Sequence, residues 1–371
     1  MSSKAPRIIT VIAIIAAAAI AIVLASPALS SFGAPVLVRQ DVQDLTPAQK
    51  KAFVDALLKA KRTPSPFNPG ISYYDQFVQW HKDAFRCDIA WKQENNFAGA
   101  AHNSPTFLPW HREFLHKFDE MLQQMSGDPT MTTPYWDWTD PKSTAAVFSP
   151  DFMGGNGNAA QGWAVTDGPL RKGKWRITIQ DPPEILNGSA PPTPYLRRNF
   201  ASMPAGKSAL PTKSQVRWTL DRHAYDHTPF DGSSPAKDSF RNSLEGWRGA
   251  LPATCDSGWV DQSEENGAPH VMHNIVHVYV GGVWIADGKP NEGTMAQNTS
   301  PNDPVFFIHH ANVDRIWAAW ELKQGGHYRP RTGAAYGWNA TDTMWPWYDR
   351  TINSWFGTER NGYRYASLPR S

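Results

Sequence analysis

A mainly α fold is predicted for this chain of 371 residues: a central four-helix bundle surrounded by long Pro- and Gly-rich loops and a few short strands. Three observations predict it. Apolar residues recur at helical spacing in well-separated segments. The stretch 140–235 between them is rich in Gly, Pro and Ser and reads as loops with short strands. Seventeen Trp and 31 Pro beside only 19% charged residues describe a rigid, aromatic-rich globule, not a disordered or coiled-coil chain.

The first element is expected to lie outside the fold. Residues Ile8 to Ala25 form an uncharged run preceded by Lys4 and Arg7 and followed by Ala28-Leu29-Ser30. That order reads as a secretory signal, with an uncleaved N-terminal membrane anchor as the alternative. Lys4 and Arg7 are not adjacent, so the twin-arginine signature is missing. Residues 1–30 are therefore expected to be leader or anchor, and 31–371 a single domain. The protein would be secreted or otherwise extracytoplasmic, touching membrane only through an uncleaved leader. A Cys87–Cys255 disulfide is permitted in that compartment. Two Cys exclude a disulfide scaffold and a thiolate zinc site. A formal net charge of +2 gives no electrostatic case for nucleic acid.

Thr46-Pro47-Ala48-Gln49 opens a helix, with Thr as N-cap, Pro in the first turn and Gln closing a capping box. It should run to about Lys61. A second helix is expected over 72–85, with Tyr74, Phe77, Val78, His81 and Phe85 on one stripe. A third, over 109–125, aligns Leu108, His111, Leu115, Phe118 and Leu122. A fourth, over 270–280, carries His273 and His277 one turn apart. A fifth, over 303–323, aligns Phe306, His310, Val313, Trp317 and Trp320.

One histidine on an apolar stripe is ordinarily a hydrogen-bonded core residue. Here four of these helices each bury one, and His102 precedes the third by a short loop. His273 and His277, about 6 Å apart at Cβ, can grip one metal, and His310 can supply a third ligand. Carboxylate-bridged di-iron bundles need Glu-x-x-His partners, which these histidines lack. Protease-type zinc wants His-Glu-x-x-His, whereas the motif here is His273-Asn274-Ile275-Val276-His277. Neutral imidazoles without carboxylates suit copper, and two facing triads would hold a pair of copper ions.

Tyr74-Asp75-Gln76-Phe77-Val78-Gln79-Trp80-His81 and the run from His102 to Leu115 resemble the copper A segment of the tyrosinases. The runs His273–Gly282 and Ser300–His310 resemble the copper B segment. Pro134-Tyr135-Trp136-Asp137-Trp138 and Tyr363-Arg364-Tyr365 also match family signatures, so the resemblance spans about 36–366. It implies a dinuclear copper site in the bundle, with His81, His102 and His111 on copper A and His273, His277 and His310 on copper B. His309, off the stripe, is expected to support the ligands. His116, His223, His227, His270 and His327 are expected to be ordinary histidines. Some fungal members link a Cys to the second copper A ligand; Ala100 stands at that position here, so no such link is expected. Residues 250–269 and 283–293 look inserted relative to compact bacterial members.

The resemblance implies an enzyme that ortho-hydroxylates monophenols such as L-tyrosine and oxidises o-diphenols to o-quinones, with O2 as co-substrate. Diphenol-only catechol oxidation and o-aminophenol oxidation are the alternatives within the family, and a hemocyanin-like O2 carrier is a remote one. In hydroxylating members a Glu and an Asn hold a water that takes the phenol proton. Asn274 occupies the Asn position, and Glu245, in Phe240–Arg248, is the candidate Glu; Glu264 and Glu265 are the reserve. An ion pair of Glu245 with Arg241 or Arg248 is the competing expectation. Phe306 would orient an aromatic substrate by ring contact. Asp314 would accept a hydrogen bond from a ligand histidine or from Arg112. Small phenols and O2 are the expected partners, with a copper-loading chaperone as an optional further one.

The leader is directly testable. Replacing Ile14 and Ile15 by Asp places two charges in the apolar run, each costing about 2.5–3.5 kcal/mol at a membrane helix centre. Cell fractionation should find that variant retained in the cytoplasm; normal export would show that the run does not target the chain.

Overall fold

The computed structural model describes residues 36–85, 101–180, 193–202, 209–232, 234–246 and 272–369. The apolar run at 8–25, Cys87, Ala100, Cys255, Glu264, Glu265 and His270 lie outside them. Helix α1 (Pro47–Ala60) starts on the expected capping box: the Gln49 N–H donates to the Thr46 hydroxyl, and the Thr46 N–H donates to the Gln49 side chain. Then follow α2 (Tyr73–Phe85), α3 (Phe107–Ser126), α4 (Pro141–Val147), α5 (Lys213–Leu220), α6 (Phe240–Glu245), α7 (Met272–Gly281) and α8 (Val305–Gln324). Helix α3 ends at Gly127 and α8 at Gly325, both in the left-handed conformation that closes a helix without a Cβ penalty.

The strands are short, as expected. β1 (Leu37–Arg39) pairs in parallel with β8 (Tyr363–Tyr365), Val38 opposite Arg364. The others form two-stranded antiparallel ribbons: β2 (Gly157–Asn158) with β3 (Ala164–Val165), β4 (Val283–Ala286) with β5 (Lys289–Glu292), and β6 (Thr343–Met344) with β7 (Trp347–Thr351). The stretch read as an insertion at 283–293 is the β4–β5 ribbon.

One expectation needs correcting. The stretch 140–235 is not loops and strands alone, because it also holds α4 and α5. At seven and eight residues they are too short for a helical period to emerge. Their caps were visible, however: Asp140 before Pro141 caps α4, and Thr212 with Gln215 repeats the capping box of α1.

Helix α3 is the hub. It packs on α1, α2 and α8, while α7 packs on α8 and α6 bridges α3 and α7. An aromatic seam joins the main helices: Phe118 of α3 stacks on Phe307 of α8, and Phe77 of α2 meets Phe118 edge-on with ring centres 5.2 Å apart. Among the described residues no helix is long and apolar enough to cross a membrane.

Under this seam lies a buried charge network centred on Asp314. Its carboxylate accepts from Arg112 Nε (2.5 Å), Arg39 Nη1 (3.2 Å), and the hydroxyls of Tyr363 (2.6 Å) and Tyr365 (2.5 Å). Of the two donors expected, Arg112 is the one present. Burial alone would raise the Asp314 carboxyl; Arg112 and Arg39 outweigh it and hold it below the usual range. Arg112 also grips Glu321 and the Trp355 carbonyl and lies over the Trp317 ring. One carboxylate thus ties α3, α8 and the β1–β8 pair together.

Asp314→Asn should cost about 3–5 kcal/mol, because it leaves two buried guanidiniums undercompensated. The folded carboxyl lies below its unfolded value, so its contribution is complete above about pH 4 and fades as pH falls through the folded value. Denaturant unfolding should therefore show the gap between wild type and variant closing in acid.

Candidate metal centre

The sequence places histidines on α2, α3, α7 and α8 and in the loop before α3, and the structure gathers them into two adjacent clusters. His81, His102 and His111 each bring a ring nitrogen within 4.8 Å of the others; His273, His277, His309 and His310 do the same. All are buried except His277, which is partly so. The clusters face one another ring to ring. His111 stacks on His310 with centres 4.1 Å apart, and His102 lies 6.3 Å from His273.

Main-chain carbonyls set the orientation. His81 Nδ1 lies 2.8 Å from the Asn298 carbonyl, His111 Nδ1 2.9 Å from Phe107, His277 Nδ1 2.7 Å from Met295 and His273 Nδ1 3.3 Å from Glu245. A carbonyl oxygen only accepts, so each Nδ1 must carry the proton and each Nε2 the lone pair. In the second cluster the Nε2 atoms of His273, His277 and His310 converge at 3.0–3.4 Å. Imidazole nitrogens about 2.0–2.1 Å from one shared ion lie roughly 3.3–3.6 Å apart, so this trio already has nearly the spacing of a ligand set.

Burial makes these rings hard to protonate. It pushes His111 down to about 3 and His277 down to about 4, and it holds His81, His273, His309 and His310 well below the ordinary histidine value, with neighbouring rings adding to the effect. His111 Nε2 and His310 Nδ1 are buried without a hydrogen-bond partner. Neutral nitrogen donors in two groups, with no carboxylate among them, fit two copper ions.

The loop carrying His102 is pinned from outside. Asn103 adopts a left-handed φ of 55° and its N–H donates to Glu245 Oε1 at 2.5 Å; the Tyr225 hydroxyl donates to the Pro105 carbonyl at 2.6 Å. Behind α7, the chain returns through Gly281, Gly282 and Gly293. A Cβ at Gly281 would lie 2.5 Å from the Ala296 nitrogen, and Gly282 adopts a φ of +71°. That close approach brings the Met295 carbonyl to His277.

Of the other expected residues, Phe306 is fully buried between the clusters, 4.2 Å from His310 and 4.8 Å from His81. Asn274 is buried next to His273 with its amide nitrogen unbonded. Glu245 is buried and its Oε2 accepts from Arg241 at 2.9 Å, the competing expectation for this residue. Burial raises its carboxyl to about 7 even against Arg241. His116, His223, His227 and His327 stand outside both clusters; His116 faces Glu120 and His223 faces Gln324. His309 is off the His310 stripe, yet its ring reaches the second cluster. Sequence reading missed Met295 and Asn298, whose contribution is a backbone carbonyl and carries no residue signal.

A family model described as the common central domain of tyrosinase matches residues 71–323. The chain is 36% identical to the tyrosinase of Streptomyces antibioticus over 318 residues, 85% of this chain and 94% of that one. It is 33% identical to the grixazone synthase of Streptomyces griseus over 329 residues, 85% and 95% of the two chains. Among solved structures, a polyphenol oxidase variant from Thermothelomyces thermophila superposes with a TM-score of 0.51 at 22% identity, covering 78% of this chain and 71% of that one. That likeness speaks to the fold alone.

Proposed function

The chain belongs to the tyrosinase family of dicopper oxidases, and on that premise we propose that it ortho-hydroxylates monophenols and oxidises the resulting o-diphenols to o-quinones with O2, outside the cytoplasm. The observation that carries the reading is the pair of facing imidazole clusters. We assign His81, His102 and His111 to one copper and His273, His277 and His310 to the other. Bound copper supplies the redox chemistry that activates O2 toward the ring carbon beside the phenol oxygen.

The chain's own residues must orient the ring and remove a proton. Phe306 is fully enclosed at the junction of the clusters, so in this reading it acts by holding the His81 and His310 rings in place beside an aligned phenol. A phenol with pKa near 10 is mostly protonated at neutral pH, so hydroxylation needs a base. Glu245 is that base in this reading. Its carboxyl, raised to about 7, holds a proton better than an exposed carboxylate does. Asn103 N–H and Arg241 occupy one acceptor direction on each oxygen, which leaves a second lone pair on each. The Asn274 amide, buried beside His273 with an unbonded N–H, suits holding the intervening water.

A second reading has its own support. Because both Glu245 oxygens are already engaged, the residue could be wholly structural, leaving diphenol or o-aminophenol oxidation without hydroxylation. Oxygen uptake on L-tyrosine, L-DOPA and o-aminophenol, side by side, separates the readings: no uptake on L-tyrosine by copper-replete enzyme overturns the hydroxylase.

The metal assignment predicts two coppers per chain by elemental analysis. His277→Ala should lose one of them and all activity, while His327→Ala should change neither. For the base, general acid–base groups contribute about 10²–10⁴-fold. Glu245→Gln should therefore lower the rate on L-tyrosine at least about tenfold more than on L-DOPA. A copper-replete variant with the wild-type ratio of the two rates would remove Glu245 from the chemistry.

A further inference from the structure

His309 is the buried imidazole that neither ligand trio uses. It precedes His310 on α8 and so leaves the helix about 100° away from it. Its ring nevertheless turns back onto the second cluster. It lies nearly parallel to His273 (centres 5.1 Å apart, planes 13°), 4.8 Å from His277 and 5.0 Å from His310, with Trp138 at 5.1 Å on another side. It is fully enclosed, and neither ring nitrogen makes a hydrogen bond of normal geometry; the ring only leans on the main chain of His273.

Folded proteins rarely leave a buried polar ring so weakly bonded, and packing alone would be served as well by Phe. What distinguishes His309 is reach. One nitrogen from each of His273, His277, His309 and His310 lies within 4.8 Å of the rest. The cluster therefore offers four nitrogen donors for three places. The three Nε2 atoms at 3.0–3.4 Å form the resting set, and His309 stands beside them.

We propose that His309 is an exchange ligand of the second copper, bonding the ion transiently as it enters or leaves, while one of His273, His277 and His310 is not yet in place. This rests on the assignment of those three as the resting ligands. The steps are plain ligand exchange. A copper–water bond breaks as the copper–His309 bond forms, and that bond breaks as the last imidazole closes. The ring is neutral throughout, so no electron and no net proton moves. A ligand present only along the path lowers the barrier from both sides and leaves the end states alone.

The test uses the full chain, stripped of metal and reloaded with Cu(II). Uptake is followed by quenching of tryptophan fluorescence, loss by transfer to excess EDTA, and content by elemental analysis. For His309→Phe, which keeps a ring against Trp138 and His273, uptake and loss of the second copper should both slow by about tenfold or more, with their ratio unchanged. His309→Gln should do the same. Unchanged rates in His309→Phe overturn the proposal. So does weakened affinity with faster loss, the signature of a residue that only supports ligands, for which losses of about 10–100-fold are typical. Wild type supplies an independent arm: samples frozen during uptake should show a second cupric resonance signal that vanishes at completion, and a single species throughout overturns the idea. A wild type that never takes up two coppers overturns the ligand assignment itself, and this inference with it.

Discussion

The site depends on one constraint: a buried imidazole must be neutral and must turn its lone pair inward. Desolvation secures the first, since it pushes every described histidine of the clusters whose shift is resolved below the ordinary value. Main-chain carbonyls secure the second. Those of Phe107, Glu245, Met295 and Asn298 take the Nδ1 protons of His111, His273, His277 and His81 and so fix the tautomer of each ring. Much of the surrounding architecture can be understood as delivering those carbonyls. Phe107 lies on the first turn of α3, one turn before His111. Met295 and Asn298 arrive on the return from the β4–β5 ribbon, past glycines that admit a close backbone approach.

Rigidity at a distance comes from Asp314. It sits one turn after His310 and bonds Arg112, the neighbour of His111, so one carboxylate fixes the two helices whose histidines stack across the clusters. Through Arg39, Tyr363 and Tyr365 it also anchors both ends of the described domain. A buried pair like this adds little net stability compared with well-packed apolar residues. Its value lies in direction, because it sets how α3 and α8 sit against each other and hence how His111 meets His310.

How much was legible follows from which physical signal each part carries. Apolar periodicity exposed α2, α3, α7 and α8, and the same stripes singled out His81, His111, His273, His277 and His310, because histidines that meet between packed helices must share the core face. His102 has no period; its place in a short loop before α3 and its motif are the signals it carries. The short helices α4 and α5 hid behind Pro and Gly, although their caps were readable. His309 shows the limit of helical geometry: the spacing correctly takes it off the His310 stripe, yet the flexible side chain brings the ring back to the cluster. Met295 and Asn298 were invisible for a different reason, since any residue supplies a carbonyl and only the path of the backbone says which one does.

Glu245 links the two clusters, because it touches one directly and braces the loop that carries a histidine of the other. Its main-chain carbonyl faces His273, and its side chain holds the Asn103 N–H next to His102. Arg241 restrains the same carboxylate and is itself held by Asp226, so α6 reaches the site with its charges already matched. A carboxylate placed there cannot be altered without some risk to imidazole geometry on both sides. Gln keeps the size and an acceptor oxygen for Asn103 but gives up the charge that Arg241 faces. Removing Arg241 instead would leave the charge and lose its restraint. Structural and chemical contributions of Glu245 are therefore separable only when copper content is measured alongside rate, and the ratio of monophenol to diphenol turnover is the quantity in which a purely structural loss cancels.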